Sequence, residues 1–134
     1  FDRGTEGWTA ANHLAPLRIS DGVVRTQNTG GDPYMVSGGL SVAGKAADVL
    51  AIRLSVTAGG QGTVYFGTEA GGFSPARNMA FDFIPDGSLQ TVHVPIGEHV
   101  EWAGHTITSL RIDPMSGEET AEIGIDSIEL KRGG

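Results

Sequence analysis

The 134-residue chain has no cysteine, and it sets only 9 Lys and Arg against 16 Asp and Glu, a formal net charge of −7. The first absence excludes a disulfide scaffold, Cys-based zinc sites and thiol catalysis. The shortage of positive charge argues against a phosphate-binding surface, because nucleic-acid affinity rests largely on Lys and Arg neutralising the backbone; anionic lipid is disfavoured for the same reason. No apolar run approaches the ~18–20 residues of a membrane-spanning helix. A sustained i, i+3, i+4, i+7 stripe is also missing, which excludes a helical bundle.

What the chain has in excess is glycine: 21 residues, more than twice the usual share of about 7%. Glycine is costly inside helices and useful wherever φ is positive, so a Gly-rich chain with 39% hydrophobic residues reads as short strands joined by tight turns. Period-two alternation supports this. Residues 48–57 place Leu50, Ile52, Leu54 and Val56 on one face, with Ala51, Arg53 and Ser55 on the other. The cluster Gly59-Gly60-Gln61-Gly62 is expected to make a hairpin into 63–68, with Val64 and Phe66 inward and Tyr65 outward. Strands follow at 78–84, at 89–94 after the Pro85-Asp86-Gly87 turn, at 106–113 and at 122–132. Asp21-Gly22 marks a two-residue hairpin between 17–19 and 23–27, and 34–37 and 40–42 are further short strands. A single helical turn is expected within 96–102. Eight to ten short antiparallel strands with turn signals between them predict an all-β fold, a β-sandwich of the jelly-roll kind in one domain over residues 1–134. The chain opens at Phe1 with no signal peptide and reads as a module excised from a larger protein.

Enzyme signatures are missing: there is no phosphate-binding loop, dinucleotide fingerprint, G-x-S-x-G elbow or H-E-x-x-H motif. No catalytic residue is therefore assigned. His99 and His105 bracket Glu101 and Trp102, a spacing open to zinc, but a structural zinc site needs four closed ligands and a solvated loop is the better reading.

Two residue sets carry binding chemistry. Arg53, Tyr65, Asp82, His93 and Arg111 project from strand faces opposite the apolar sets. A ring beside guanidinium and carboxylate groups suits a sugar, whose CH faces stack and whose hydroxyls take paired hydrogen bonds. Cross-strand salt bridging on an exposed sheet explains the same residues, and both readings stay open. The second set is aromatics in Gly-rich loops: Tyr34, Phe73 and Trp102. Flexible glycines present such rings to ligands, although the same rings can close the ends of the core. Trp8 is assigned to the core.

The opening Phe1-Asp2-Arg3-Gly4-Thr5-Glu6-Gly7-Trp8 and the closing Ile125-Asp126-Ser127-Ile128-Glu129-Leu130 resemble the first and last strands of galactose-binding-like jelly rolls. Asp32-Pro33-Tyr34, Phe73-Ser74 and the run from Trp102 to Pro114 are similar to carbohydrate-binding modules appended to bacterial polysaccharide-degrading enzymes. The resemblance implies a monomeric, secreted or cell-surface, non-catalytic module that binds polysaccharide or oligosaccharide and targets an attached catalytic domain to it. Binding residues do not carry over by motif, because such modules bind either on a sheet face or in the loops at one end; Arg53, Tyr65, Asp82 and His93 are the face set, with Tyr34 and Trp102 at the rim, and the loop alternative stays open. A structural Ca²⁺ between Asp2 and Asp126 is also implied, because the first and last strands of such modules are adjacent and carboxylates with backbone carbonyls suit that ion. Two other functions stay open: an accessory β-sandwich of a larger enzyme that packs on a neighbouring domain without sugar affinity, and a small jelly-roll lyase or hydrolase.

Overall fold

The computed structural model describes residues 8–117 and 119–132. Among the described residues, eleven strands run in chain order: β1 (Thr9–Asn12), β2 (Arg18–Ser20), β3 (Val23–Gln27), β4 (Tyr34–Ser37), β5 (Val42–Ala43), β6 (Val49–Val56), β7 (Gln61–Thr68), β8 (Asn78–Asp82), β9 (Gln90–Val94), β10 (Thr106–Asp113) and β11 (Glu122–Lys131). One 3₁₀ turn, Ile96–Glu98, lies where the helical turn was expected. All pairings are antiparallel. The first sheet has the order β1-β4-β10-β7-β8, with β5 also against β10, and the second has the order β2-β3-β11-β6-β9. The architecture is the predicted all-β sandwich.

Alternation decides which residues lie between the sheets. Leu50, Ile52, Leu54 and Val56 of β6 are buried, as are Val64 and Phe66 of β7, Ile112 of β10 and Ile123 and Ile125 of β11. Asp21 (φ 54°) and Gly22 (φ 76°) give the β2–β3 hairpin the two positive φ values that a type I′ turn requires. Trp8 is buried, as its assignment to the core implied.

One expected connection is different. Residues 59–62 do not join β6 and β7 as a hairpin: β6 pairs with β11 and β9 in the second sheet, whereas β7 pairs with β10 and β8 in the first. Gly59 (φ 89°) and Gly60 (φ 133°) carry the chain across the end of the core. A side chain at Gly59 would press on Met115 and approach Phe83, so the crossover needs glycine for space as well as for conformation. The turn at 85–88 likewise leads from β8 in the first sheet to β9 in the second.

Candidate functional site

Because strands β6 and β7 belong to different sheets, the residues expected on one polar face separate onto two. Arg53 and His93 lie on the second sheet, where Arg53 stands opposite both Ser127 and Thr91, and His93 opposite Ala51. Arg53 Nε is 3.2 Å from the carboxylate of Asp126, which sits at the register shift in β11. Tyr65, Asp82, Arg111 and Tyr34 lie on the first sheet.

On that first sheet, β10 is central and β4 and β7 flank it. Arg111 stands opposite Val36 on one side and Tyr65 on the other, with Asn78 beyond Tyr65 on β8. The guanidinium carbon lies 3.5 Å from the Tyr34 ring centroid and 4.4 Å from that of Tyr65. Both rings are partly exposed. Arg111 Nε and Nη2 donate to the two carboxylate oxygens of Asp113 at 2.8 and 2.9 Å, a bidentate pair that fixes the plane of the guanidinium. Residues two apart on a strand share a face, so a single strand supplies both partners. Asp32 adds a carboxylate 3.8 Å from Nη2. The Nη1 amino group makes no hydrogen bond to any described residue.

The electrostatics follow from these contacts. The hydrogen bonds from Arg111 to Asp113 raise the arginine pKa and keep it charged. Burial pushes the Asp113 carboxyl up, Arg111 counters it, and the neighbouring Asp32 adds to the rise. Asp32, Asp82 and Asp113 on this face give a local excess of negative charge around one guanidinium. Asp82 is at the far end, opposite Gln61, whose Nε2 donates to it at 3.4 Å. It stands four positions along β7 from Tyr65, about 13 Å by strand rise. Small polar residues flank the rings: Thr63 beside Ala80, and Ser109 beside Gly67.

Trp102 is not at the rim. It is 1% exposed, packs edge-on against Phe66 at 5.1 Å and donates its indole N–H to Asp48 at 2.9 Å. Glycines near it serve close packing: a side chain at Gly44 would collide with the Trp102 carbonyl. Its ring closes the core, and no surface of it is left for a ligand. Phe73 of the loop set is partly exposed at 37%. His99 and His105 do not converge on a metal. His99 Nδ1 accepts the Glu101 N–H and its ring abuts Phe66, while His105 Nδ1 lies 3.2 Å from both carboxylate oxygens of Glu69.

For the expected calcium site, Asp2 lies outside the described residues. Among the described residues no three His, Asp or Glu side chains gather to hold a metal, and the Asp126 carboxylate faces the Arg53 guanidinium.

Solved structures repeat this architecture. A CBM4 carbohydrate-binding module has a TM-score of 0.65 at 15% identity, over 99% of both chains. The second N-terminal cellulose-binding domain of Cellulomonas fimi β-1,4-glucanase C has a TM-score of 0.68 at 15% identity, over 100% of this chain and 90% of that one. An exo-β-agarase has a TM-score of 0.67 at 10% identity, over 100% of this chain and 24% of that one. The chain therefore matches 90–99% of these binding domains and about a quarter of the enzyme. No protein-family model and no curated protein matches the sequence. The shared feature is the fold, a β-sandwich of the kind carbohydrate-binding modules have.

Proposed function

We propose that the outer face of the first sheet binds a polysaccharide chain, and that the domain is a non-catalytic module holding an attached enzyme at its glycan. The observation that carries this reading is the guanidinium of Arg111 fixed over Tyr34 and Tyr65 by Asp113, with Nη1 free of partners among the described residues. With one face of each ring against Arg111, the opposite faces of the partly exposed tyrosines meet sugar CH groups at little cost in side-chain freedom, and the remaining amino group donates to hydroxyls. Val36, Thr63, Ala80 and Ser109 are small enough to leave the platform open. The surplus carboxylates repel uronic and sulfated chains, so the reading is a neutral glycan. Cellulose binding in a structurally similar domain supports the same class of ligand. Tethering raises the local concentration of an attached catalytic domain near its substrate, and an extracellular setting follows from polymeric substrates.

Affinity-gel retardation over neutral and acidic polysaccharides tests the reading. A neutral polymer is expected to slow the native chain and to lose that effect with Tyr65→Ala. Absence of retardation by every polymer would favour the accessory-sandwich reading, in which this face is covered by a neighbouring domain.

A further inference from the structure

The second sheet has a pocket on its outer face that the tyrosine platform does not use. Gly124 of β11 stands between Arg25 of β3 and Ser55 of β6, in register with both. Glu122, two residues earlier, faces the same way, since alternate residues of a strand share a side. With no side chain at position 124, a cavity of about 110 Å³ opens, bounded by Arg25, Ser55, Thr57, Gly87 and Glu122. A Cβ at Gly124 would lie 2.7 Å from Ser55 Oγ and 3.4 Å from both Arg25 Nη1 and Val23 Cγ1, so a hydroxyl, a guanidinium and one apolar methyl border the space the glycine leaves. Thr57 Oγ1 accepts the Glu122 N–H at 2.9 Å and retains its own proton to donate. Arg25 and Glu122 are opposite charges on adjacent strands, yet neither forms an ion pair with any described residue.

We propose that this pocket is a second carbohydrate site, taking one neutral sugar unit from the face opposite the tyrosines. A sugar hydroxyl both donates and accepts; Arg25 only donates, ionised Glu122 only accepts, and the Ser55 and Thr57 hydroxyls do both. The two charges oppose each other across the pocket. An anion attracted by Arg25 meets Glu122, a cation attracted by Glu122 meets Arg25, and a neutral polyol satisfies both. Gly87, with φ 79° and its N–H bonded to the Val56 carbonyl, closes one side with backbone. The pocket therefore fits a chain end or a single branch. Among the described residues no ring lines it, so affinity rests on hydrogen bonds and falls in roughly the millimolar range. A weak site on one face and a platform on the other let one module bridge two glycan chains.

The test is a ¹H–¹⁵N NMR titration of the 134-residue chain with D-glucose, D-galactose, D-mannose and D-xylose in turn, with D-glucuronate and acetate as anionic arms. At least one neutral sugar is expected to shift the amides of Arg25, Ser55, Gly87 and Gly124 saturably. Gly124→Ala puts a methyl group 2.7 Å from Ser55 Oγ at the pocket floor and should abolish those shifts, as should Glu122→Ala together with Arg25→Ala, which removes both charged hydrogen-bonding groups at exposed positions and keeps the fold should the glycine variant lose it. Tyr65→Ala should leave them unchanged, which separates this site from the platform. The proposal is overturned if none of the four sugars gives saturable shifts there, if only glucuronate or acetate does, or if the shifts persist in the double variant.

Discussion

Arg111 and Asp113, two residues apart on β10, form a bidentate pair at 2.8 and 2.9 Å, and the same guanidinium lies over the ring of Tyr34. Asp113 thus sets the plane in which Arg111 meets both tyrosines. Loss of either member should release the rings without opening the core, because Arg111 is outside it.

Substitution Arg111→Lys is expected to weaken polysaccharide retention by about tenfold or more, near 1.4 kcal/mol. Lysine keeps the charge but has neither the planar fork that Asp113 grips nor the flat face that stacks on a ring. Affinity electrophoresis measures the first effect. Denaturant unfolding should show a smaller cost, about 0.5–1 kcal/mol for a partly exposed cation–π contact.

Acid should remove binding before it removes the fold. Burial raises the Asp113 carboxyl and Arg111 only partly offsets it, so Asp113 takes up its proton early as pH falls and the grip on Arg111 loosens. Burial also pushes Asp48 up, but the hydrogen bonds from Trp102, the Lys45 N–H and Arg132 outweigh it and hold Asp48 below the usual carboxylate value. A depressed folded pKa means that ionised Asp48 stabilises the fold above the unfolded carboxylate range. That contribution is lost only as pH falls through the lower, folded value. The pH midpoint for loss of glycan retention should therefore lie above the midpoint of unfolding followed by tryptophan fluorescence. Coincident midpoints would contradict this assignment.

Trp102→Ala is expected to cost about 3–5 kcal/mol, as for other large buried rings. Asp48→Ala should cost about 2–3 kcal/mol, since it strands the indole N–H and the Lys45 N–H in the interior. Urea unfolding measures both. If the Trp102 variant kept native stability but lost glycan retention, the ring would belong to the binding surface after all.

Two glycines should respond differently to alanine. A methyl at Gly97 would come within 2.5 Å of the Ala46 and Lys45 carbonyls and 2.7 Å of the Asp48 nitrogen, all backbone atoms that cannot rotate away. Gly97→Ala should destabilise by about 1–3 kcal/mol. Gly72 has open space around it, and Gly72→Ala should stay within about 0.5 kcal/mol of the native chain. Thermal melts of the two variants make the comparison.

Much of the platform was visible in the sequence. Tyr65 reads as outward from Val64 and Phe66, and Tyr34 stands out beside Asp32-Pro33. The Arg111–Asp113 spacing is that of a same-face pair, but a carboxylate at a strand end reads equally well as a turn residue. For Trp102, Gly104 two residues on signals a loop, so the local sequence reads the ring as presented rather than buried. What buries the ring is Phe66 and Asp48, 36 and 54 residues away, which no local pattern connects to it.

The sequence alone determined the class of fold. Period-two alternation fixes which side of each strand is apolar, and glycine at turns fixes where strands stop, so a sandwich follows from local rules. It determined the β2–β3 pairing through Asp21-Gly22 but not the partners of β6 and β7. Gly59-Gly60 permits both a hairpin and a crossover, since each uses positive φ, and the choice between them rests on how the apolar faces of β6 and β7 bury against each other across the core. That choice put Arg53 and His93 on one side of the molecule and brought Arg111 between Tyr34 and Tyr65 on the other. The platform is therefore a product of the tertiary structure.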